Sequence, residues 1–288
     1  MKGLRPATNP PRTCLIGGVP FRLTHAAGGT LPVGALSDDY DVVELSAQEA
    51  LWSVVVAAEG SEPQRDVDAR RREVVVRPGP GLRASEALRQ AVSEVMLIES
   101  RLPIHAALVA HPAGRGGLLI LGDSGRGKSS LVWLALSMGW RVVSDDMLAL
   151  HAGEGNETVG ATIRKRLRIP AHILDERTQR LGRKMRNHVG LDKTRIQPDA
   201  VFPGSFVHEA PIGRIAFLER GACRSVARVS KTEALERLID VCSLGLAHSP
   251  SRAPFQVLSD LARRADAKVA RLTKECLSDP RVLEELAS

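Results

Sequence analysis

Leu118-Leu119-Ile120-Leu121-Gly122-Asp123-Ser124-Gly125-Arg126-Gly127-Lys128-Ser129-Ser130 is the stretch from which the rest of the chain is read. Apolar residues run straight into G-x-x-x-x-G-K-S, so a buried strand should deliver a glycine-rich loop to the start of a helix. The residue types follow from the chemistry of a phosphate cradle. Glycines let backbone N–H groups turn inward, a lysine reaches the β/γ oxygens, and the following hydroxyl can ligate Mg²⁺ at a helix N-terminus. At average residue usage the pattern arises by chance in about one chain in a hundred of this length. The context test separates it from an ordinary glycine turn: helical spacing follows at Leu131, Leu134, Ala135 and Met138. Residues Gly122, Asp123, Ser124, Gly125, Arg126, Gly127, Lys128, Ser129 and Ser130 are therefore expected to hold the phosphates of a nucleoside triphosphate.

Gly139 stops that helix, and Trp140-Arg141-Val142-Val143-Ser144 reads as a short buried strand ending in Asp145-Asp146. An acidic pair in a turn is common. Here it follows Lys128 by 17 positions and lies at a strand's carboxyl end, where open α/β sheets gather their ligands. Two adjacent carboxylates there suggest a division of labour, one holding metal and one handling a proton. The spacing alone leaves open which of Asp145 and Asp146 takes which role.

Ile104 to Leu150, about a sixth of the chain, resembles the catalytic core of HPr kinase/phosphorylase and its relatives. Three separated motifs carry the resemblance in order: Ile104-His105-Ala106-Ala107-Leu108-Val109 as a histidine-bearing strand, the loop Gly122 to Ser129, and a strand ending in Asp145-Asp146. The spacing from the lysine to the acidic pair agrees without a gap. The resemblance implies an α/β fold, a P-loop kinase core of HPr-kinase type, with a smaller β-rich N-terminal region and a helical C-terminus. It implies catalytic positions for His105, Lys128 and Asp146, with Asp146 accepting the hydroxyl proton, a magnesium-ligand position for Ser129, joined on this reading by Asp145, and ATP with Mg²⁺ as the cofactors. The implied reaction is phosphorylation of a serine on a protein or peptide. The chain departs from the family in two places. His111-Pro112-Ala113-Gly114-Arg115-Gly116 lengthens the segment before the loop, and no Glu-Ile-Arg-Gly-type signature follows Asp146; that region reads Ala161-Thr162-Ile163-Arg164-Lys165-Arg166-Leu167-Arg168. In layout the chain is similar to the divergent HPr-kinase-like enzymes encoded beside lasso-peptide precursors.

Two rival classes share the loop. Small-molecule kinases of the shikimate-kinase kind also set aspartates at the strand after the P-loop helix. P-loop ATPases and regulatory nucleotide-binding modules need no acceptor at all. The strings L-S-G-G-Q and N-K-x-D, expected of an ABC-type ATPase and a Ras-like GTPase, do not occur. The arginine expected to close on the γ-phosphate is one of Arg164, Arg166, Arg195 or Arg214, without a basis in the sequence for choosing.

Composition bounds the rest. With 43% hydrophobic and 25% charged residues, the chain is ordinary globular material. Its apolar runs, such as Leu51 to Ala58, are too short for a bilayer. The amino terminus has no apolar signal-peptide core, so a cytoplasmic protein without membrane contact is expected. Cys14, Cys223, Cys242 and Cys276 lie far apart with no metal-ligand spacing. The net charge of +7 concentrates in two runs, Arg164 to Arg168 and Arg180 to Arg195. Aromatics make up only 3% of residues, which argues against a stacking nucleic-acid face and for a solvated face or an approach for anionic ligands. A homo-oligomer is compatible with all of this.

The division of the chain is placed at Pro78-Gly79-Pro80-Gly81. Residues 1–82 read as a β-rich region of unknown role, with strands at Tyr40 to Leu45, Leu51 to Val56 and Val74 to Val76. Residues 83–288 read as the catalytic domain. There Ile212 to Leu218 and Ser225 to Val229 are expected to pair about a turn at Gly221. Ser230-Lys231-Thr232-Glu233 is a capping box opening a helix to Leu246. Helices are expected again over Arg252 to Thr273 and Asp279 to Leu286.

Overall fold

The computed structural model describes residues 12–25, 41–42, 52–57, 64–77, 79, 84–114, 116–186, 192–247 and 251–288. Six N-terminal strands, β1 (Arg12–Ile16), β2 (Val19–His25), β3 (Asp41–Val42), β4 (Trp52–Val56), β5 (Gln64–Asp68) and β6 (Glu73–Arg77), form one mixed sheet in the order β3-β1-β2-β4-β6-β5. Alternation in Trp52, Val54 and Val56 and in Val74 and Val76 turns one face inward. Helix α1 (Ala84–Ile98) covers that face with Leu88, Val92, Val95 and Met96. Of the expected strand Leu51 to Val56, Trp52–Val56 is present and Leu51 lies outside the described residues; the strand at 74–76 is present, and of Tyr40 to Leu45 all but Asp41 and Val42 lie outside the described residues.

The second sheet positions the site. Its strands are β7 (Leu102–Ile104), β8 (Ala107–Ala110), β9 (Gly117–Leu121), β10 (Arg141–Ser144), β11 (Leu148–Ala152), β12 (Thr158–Thr162), and later β16 (Glu209–Arg220), β17 (Ser225–Arg228) and β18 (Asp266–Leu272). Strand β8 lies between β10 and β9 and is antiparallel to both. The carboxyl ends of β9 and β10 and the amino end of β8 consequently meet at one edge of the sheet.

Period-two burial splits this sheet between two apolar layers. Ala107, Val109, Leu118 and Ile120 face helix α2 (Lys128–Ser137) through Leu131, Val132, Ala135 and Leu136. Their neighbours Leu108, Leu119 and Leu121 pack with Leu238, Leu258 and Leu261. Those three leucines belong to α4 (Lys231–Ala247) and α5 (Ala253–Arg264). The result is an α/β fold built on mixed sheets, with helices on both faces of the larger one.

Between these parts, β13 (Leu167–Pro170), α3 (Glu176–Leu181), β14 (Arg183–Arg186) and β15 (Asp192–Ile196) add a three-stranded antiparallel sheet in the order β13-β15-β14. Its Leu167, Ile169 and Ile196 join the apolar layer beneath α2. Helix α6 (Pro280–Ala287) closes that layer with Val282, Leu283 and Leu286.

Two expectations are corrected here. Strands β16 and β17 do not pair with each other: β18 lies between them, parallel to β16 and antiparallel to β17. A parallel pair needs a long crossover, and α4 and α5 supply it. The expected helix over Arg252 to Thr273 therefore ends at Arg264, and the C-terminal part holds a central strand among its helices. Ser230 caps α4 as read, its Oγ accepting from Glu233 N at 3.1 Å. Among the described residues no helix is long and apolar enough to cross a membrane.

Candidate active site

The loop between β9 and α2 is held in its shape by backbone that only glycine tolerates. Gly122 has φ 149°, and a Cβ there would meet the carbonyl oxygen of Leu218 at 2.9 Å. Gly127 precedes α2 with φ 104° and would press a Cβ against Leu277 at 2.5 Å. Asp123 and Ser124 are exposed, so what the loop turns inward there is backbone rather than these side chains. Lys128 is buried in the first turn of α2, and its Nζ donates to the carbonyls of Gly122 and Asp123. Burial pulls its pKa below the usual lysine range, against the opposing pull of Asp146.

Asp145 follows the end of β10 and is 3% exposed. Its Oδ2 accepts from Ser129 Oγ at 3.2 Å and from Arg168 N at 2.9 Å. Burial, then the neighbouring Asp146, pushes its pKa up to about 6. A buried carboxylate joined to a serine hydroxyl at a helix N-terminus is a hard-oxygen donor pair, and the positive charge of Lys193 and Arg168 nearby does not offset its burial. Among the described residues, no group of three or more His, Cys, Asp or Glu side chains forms a metal site. Mg²⁺ asks for no such cage: it takes one or two protein oxygens and fills its octahedron with phosphate and water. Ser129 and Asp145 fit that demand.

Asp146 lives in the opposite field. Its Oδ2 accepts from Arg164 Nη1 at 2.5 Å and Arg168 Nη1 at 3.1 Å, while Oδ1 lies 3.6 Å from His105 Nε2. Burial opposes its ionisation, but Arg164, Arg168, His105 and Lys193 together outweigh it and hold the carboxyl below its ordinary range. Adjacent carboxylates driven in opposite directions are the arrangement by which sites assign different jobs to the same group. Ser144 shapes the turn that separates them, accepting from Asp146 N at 3.3 Å and donating to Met147 O at 2.8 Å.

His105 lies not on a strand but in the two-residue break between β7 and β8. The alternating apolar residues around it extend on both sides, which is why the sequence reads as one strand. The break puts its ring at the sheet edge, with a side chain 49% exposed. Burial and then Lys128 lower its pKa from 6.5, against Asp146, so it is neutral near pH 7.

The fold therefore brings His105, Lys128, Ser129, Asp145 and Asp146 together at one edge. Of the four arginine candidates, Arg164 touches Asp146, whereas Arg214 pairs with Leu118 at the end of β9 far from the loop. Arg195 lies opposite Arg168 in the small sheet. Sequence reasoning missed Arg168, Lys193 and Ser144. The basic run Arg164 to Arg168 was the available signal, though only Arg168 of its arginines lies on a strand and nothing local tied the run to the acidic pair.

No family model matches the chain, and no curated protein matches it in sequence. Among solved structures, the Hpr(Ser) kinase/phosphatase from Coxiella burnetii is similar at a TM-score of 0.34 and 15% identity, over 64% of this chain and 92% of that one.

Proposed function

We propose that this chain is a cytoplasmic, ATP-dependent kinase of the HPr-kinase kind that phosphorylates a serine on a protein or peptide. The observation that carries the reading is the convergence of a glycine loop, Lys128 and two oppositely tuned aspartates at one sheet edge. Phosphoryl transfer asks a protein mainly for positioning and charge stabilisation, and this edge offers both. Loop amides and Lys128 hold the β/γ-phosphates. Ser129 and Asp145 hold Mg²⁺, which when bound offsets phosphate charge and orients the terminal group. Asp146 orients the acceptor hydroxyl and takes its proton as the new P–O bond forms and the bond to the leaving ADP oxygen breaks. Arg164 and Arg168 supply positive charge beside the transferring group. His105, neutral and next to Asp146, borders the pocket and tunes the carboxylate's proton affinity.

Incubation with MgATP and short serine peptides on one side, or a pool of hydroxylated metabolites on the other, tests the reading. Phosphoserine on polypeptide is expected by mass spectrometry. Label on metabolites alone points to a small-molecule kinase, and phosphate released without any acceptor to an ATPase.

A further inference from the structure

The N-terminal sheet reaches the site through one turn. Gly17, between β1 and β2, is buried with φ 59°, and a Cβ there would stand 2.9 Å from Met96 Cε on α1 and 3.0 Å from Ala149 Cβ on β11. The slot is open only to a residue without a side chain. Its backbone is bonded on both sides. Gly17 N donates to the carbonyl of Thr162 at 2.7 Å, and its own carbonyl accepts from Arg101 Nη1 at 2.7 Å. Thr162 ends β12 and is buried. Its Oγ1 donates to the carbonyl of Arg164 at 2.9 Å, so a single residue joins the turn to the arginine that holds Asp146.

The strand register shows why that residue matters. Strands β11 and β12 pair Leu148 with Thr162. One step further, Ile163 N donates to Met147 O at 3.3 Å, and the next step sets Asp146 opposite Arg164. The ion pair of the site is therefore a cross-strand pair at the end of this ladder. Alternation puts Met147, Ala149 and Ile163 on the opposite face from Asp146 and Arg164. That face belongs to the N-terminal core: Ala149 and Ile163 are buried in one cluster with Phe21, Trp52, Val54 and Met96, and Met147 packs against it. A ladder end frays unless something covers it, and here the cover is the N-terminal sheet with α1.

We infer that the β1–β2 turn is a positioning element of the site: Gly17, clamped by Arg101 and bonded to Thr162, fixes the strand end from which Arg164 meets Asp146. Residues N-terminal to the Pro78–Gly81 boundary thereby complete the site. The inference rests on the kinase reading for what the pair does, and on geometry alone for the link.

Variants of the full chain test it, alone and combined with Arg164→Gln. Thr162→Val removes the hydroxyl bond to Arg164 without changing the side chain's shape. Arg101→Met removes the donor to Gly17. Gly18→Ala works from the turn itself, because its Cβ would stand 2.4 Å from Arg101 Nη1. Val54→Ala opens a cavity in the N-terminal core away from the turn and controls for lost stability. The first three should each lower single-turnover transfer from MgATP to a serine peptide by about tenfold or more, with MgATP affinity within about twofold of wild type. Thr162→Ser keeps the hydroxyl and should retain most of the rate. In the Arg164→Gln background the same three changes should cost less than about twofold, because their route ends at Arg164. Equal losses in both backgrounds, a Val54→Ala loss as large as theirs, or an unchanged rate in Thr162→Val would each overturn the inference. Amide hydrogen exchange over residues 161–168 keeps the link separate from the chemistry. Exchange there should speed up in the three variants and not in Val54→Ala, whether or not an acceptor is phosphorylated. Unchanged exchange in all three counts against the positioning role. Faster exchange in a protein that transfers phosphate to no acceptor counts against the kinase reading and supports the link.

Discussion

Arg164 donates to the Oδ2 atom of Asp146 at 2.5 Å, so the carboxylate proposed to take the proton is already paired with a guanidinium. Arg168 reaches the same oxygen, and Oδ1 is left facing His105. The pairing keeps Asp146 ionised at the cost of basicity. That suits a group that receives a proton late, once the hydroxyl has begun to bond to phosphorus, better than one that ionises serine beforehand. On the proposed kinase reading it also sets two guanidinium groups beside the position where phosphate charge would develop.

Replacing Arg164 tests this directly. Arg164→Gln should lower the single-turnover transfer rate by about 10²–10³-fold, the usual cost of removing one charge-stabilising donor, with Arg164→Lys falling in between. Losing the guanidinium should also raise the pKa of Asp146, so the acid limb of the rate profile moves to higher pH. A rate within twofold of wild type would remove Arg164 from the transition state.

Lys128→Ala removes a buried charge from the loop and should cost about a hundredfold or more in transfer. Retained turnover, measured with radiolabelled ATP, would separate the loop from the chemistry.

The contiguous parts of the candidate site could be read from the sequence because a glycine loop is made of neighbouring residues. Gly122 to Ser129 fixes its own backbone, and the step from Lys128 to Asp145 spans a single helix and strand. Arg168 and Lys193 were not legible as site residues. Their positions depend on the pairing of β13 with β15 and on the docking of Leu167 and Ile196 beneath α2, which are long-range packing events. Strand β18 escaped for another reason. It is buried on both faces, with Ala267, Lys268, Val269 and Ala270 all buried, so it lacks the alternation that marks a half-exposed strand. Its apolar residues simply continue the helical spacing of Val257, Leu258, Leu261 and Ala262.

The raised pKa of Asp145 makes a prediction about stability without nucleotide. At about 6 against an ordinary 3.8, the folded protein binds this proton more tightly than the unfolded chain. Stability therefore falls as pH rises from about 4 to about 6, and the full deficit is present above that window. Asp145→Asn removes the deficit and should stabilise the metal-free protein near pH 7 by about 1–3 kcal/mol, with no gain near pH 4. Urea unfolding at the two pH values checks it. Mg²⁺ should raise the melting temperature of the wild-type protein and leave the variant nearly unmoved.

The two aspartates should also separate in kinetics. Asp146→Asn keeps the shape of the side chain and can still accept a hydrogen bond, but it cannot accept the serine proton. It should lower kcat by about 10²–10⁴-fold with MgATP affinity held or slightly improved, because Arg164 and Arg168 lose their carboxylate and turn to phosphate. Asp145→Asn acts on the metal instead. A neutral amide is a poor ligand for a hard cation, so the Mg²⁺ concentration for half-maximal rate should rise while kcat at saturating Mg²⁺ recovers in part. Calorimetric titration of MgATP and phosphopeptide formation over a Mg²⁺ series measure the two effects independently. Proportional loss of binding and turnover in both variants would mean that Asp145 and Asp146 act as one shared metal site. The opposite pKa shifts would then reflect only the burial of Asp145 and the ion pairing of Asp146, and the proton acceptor would have to be sought at His105.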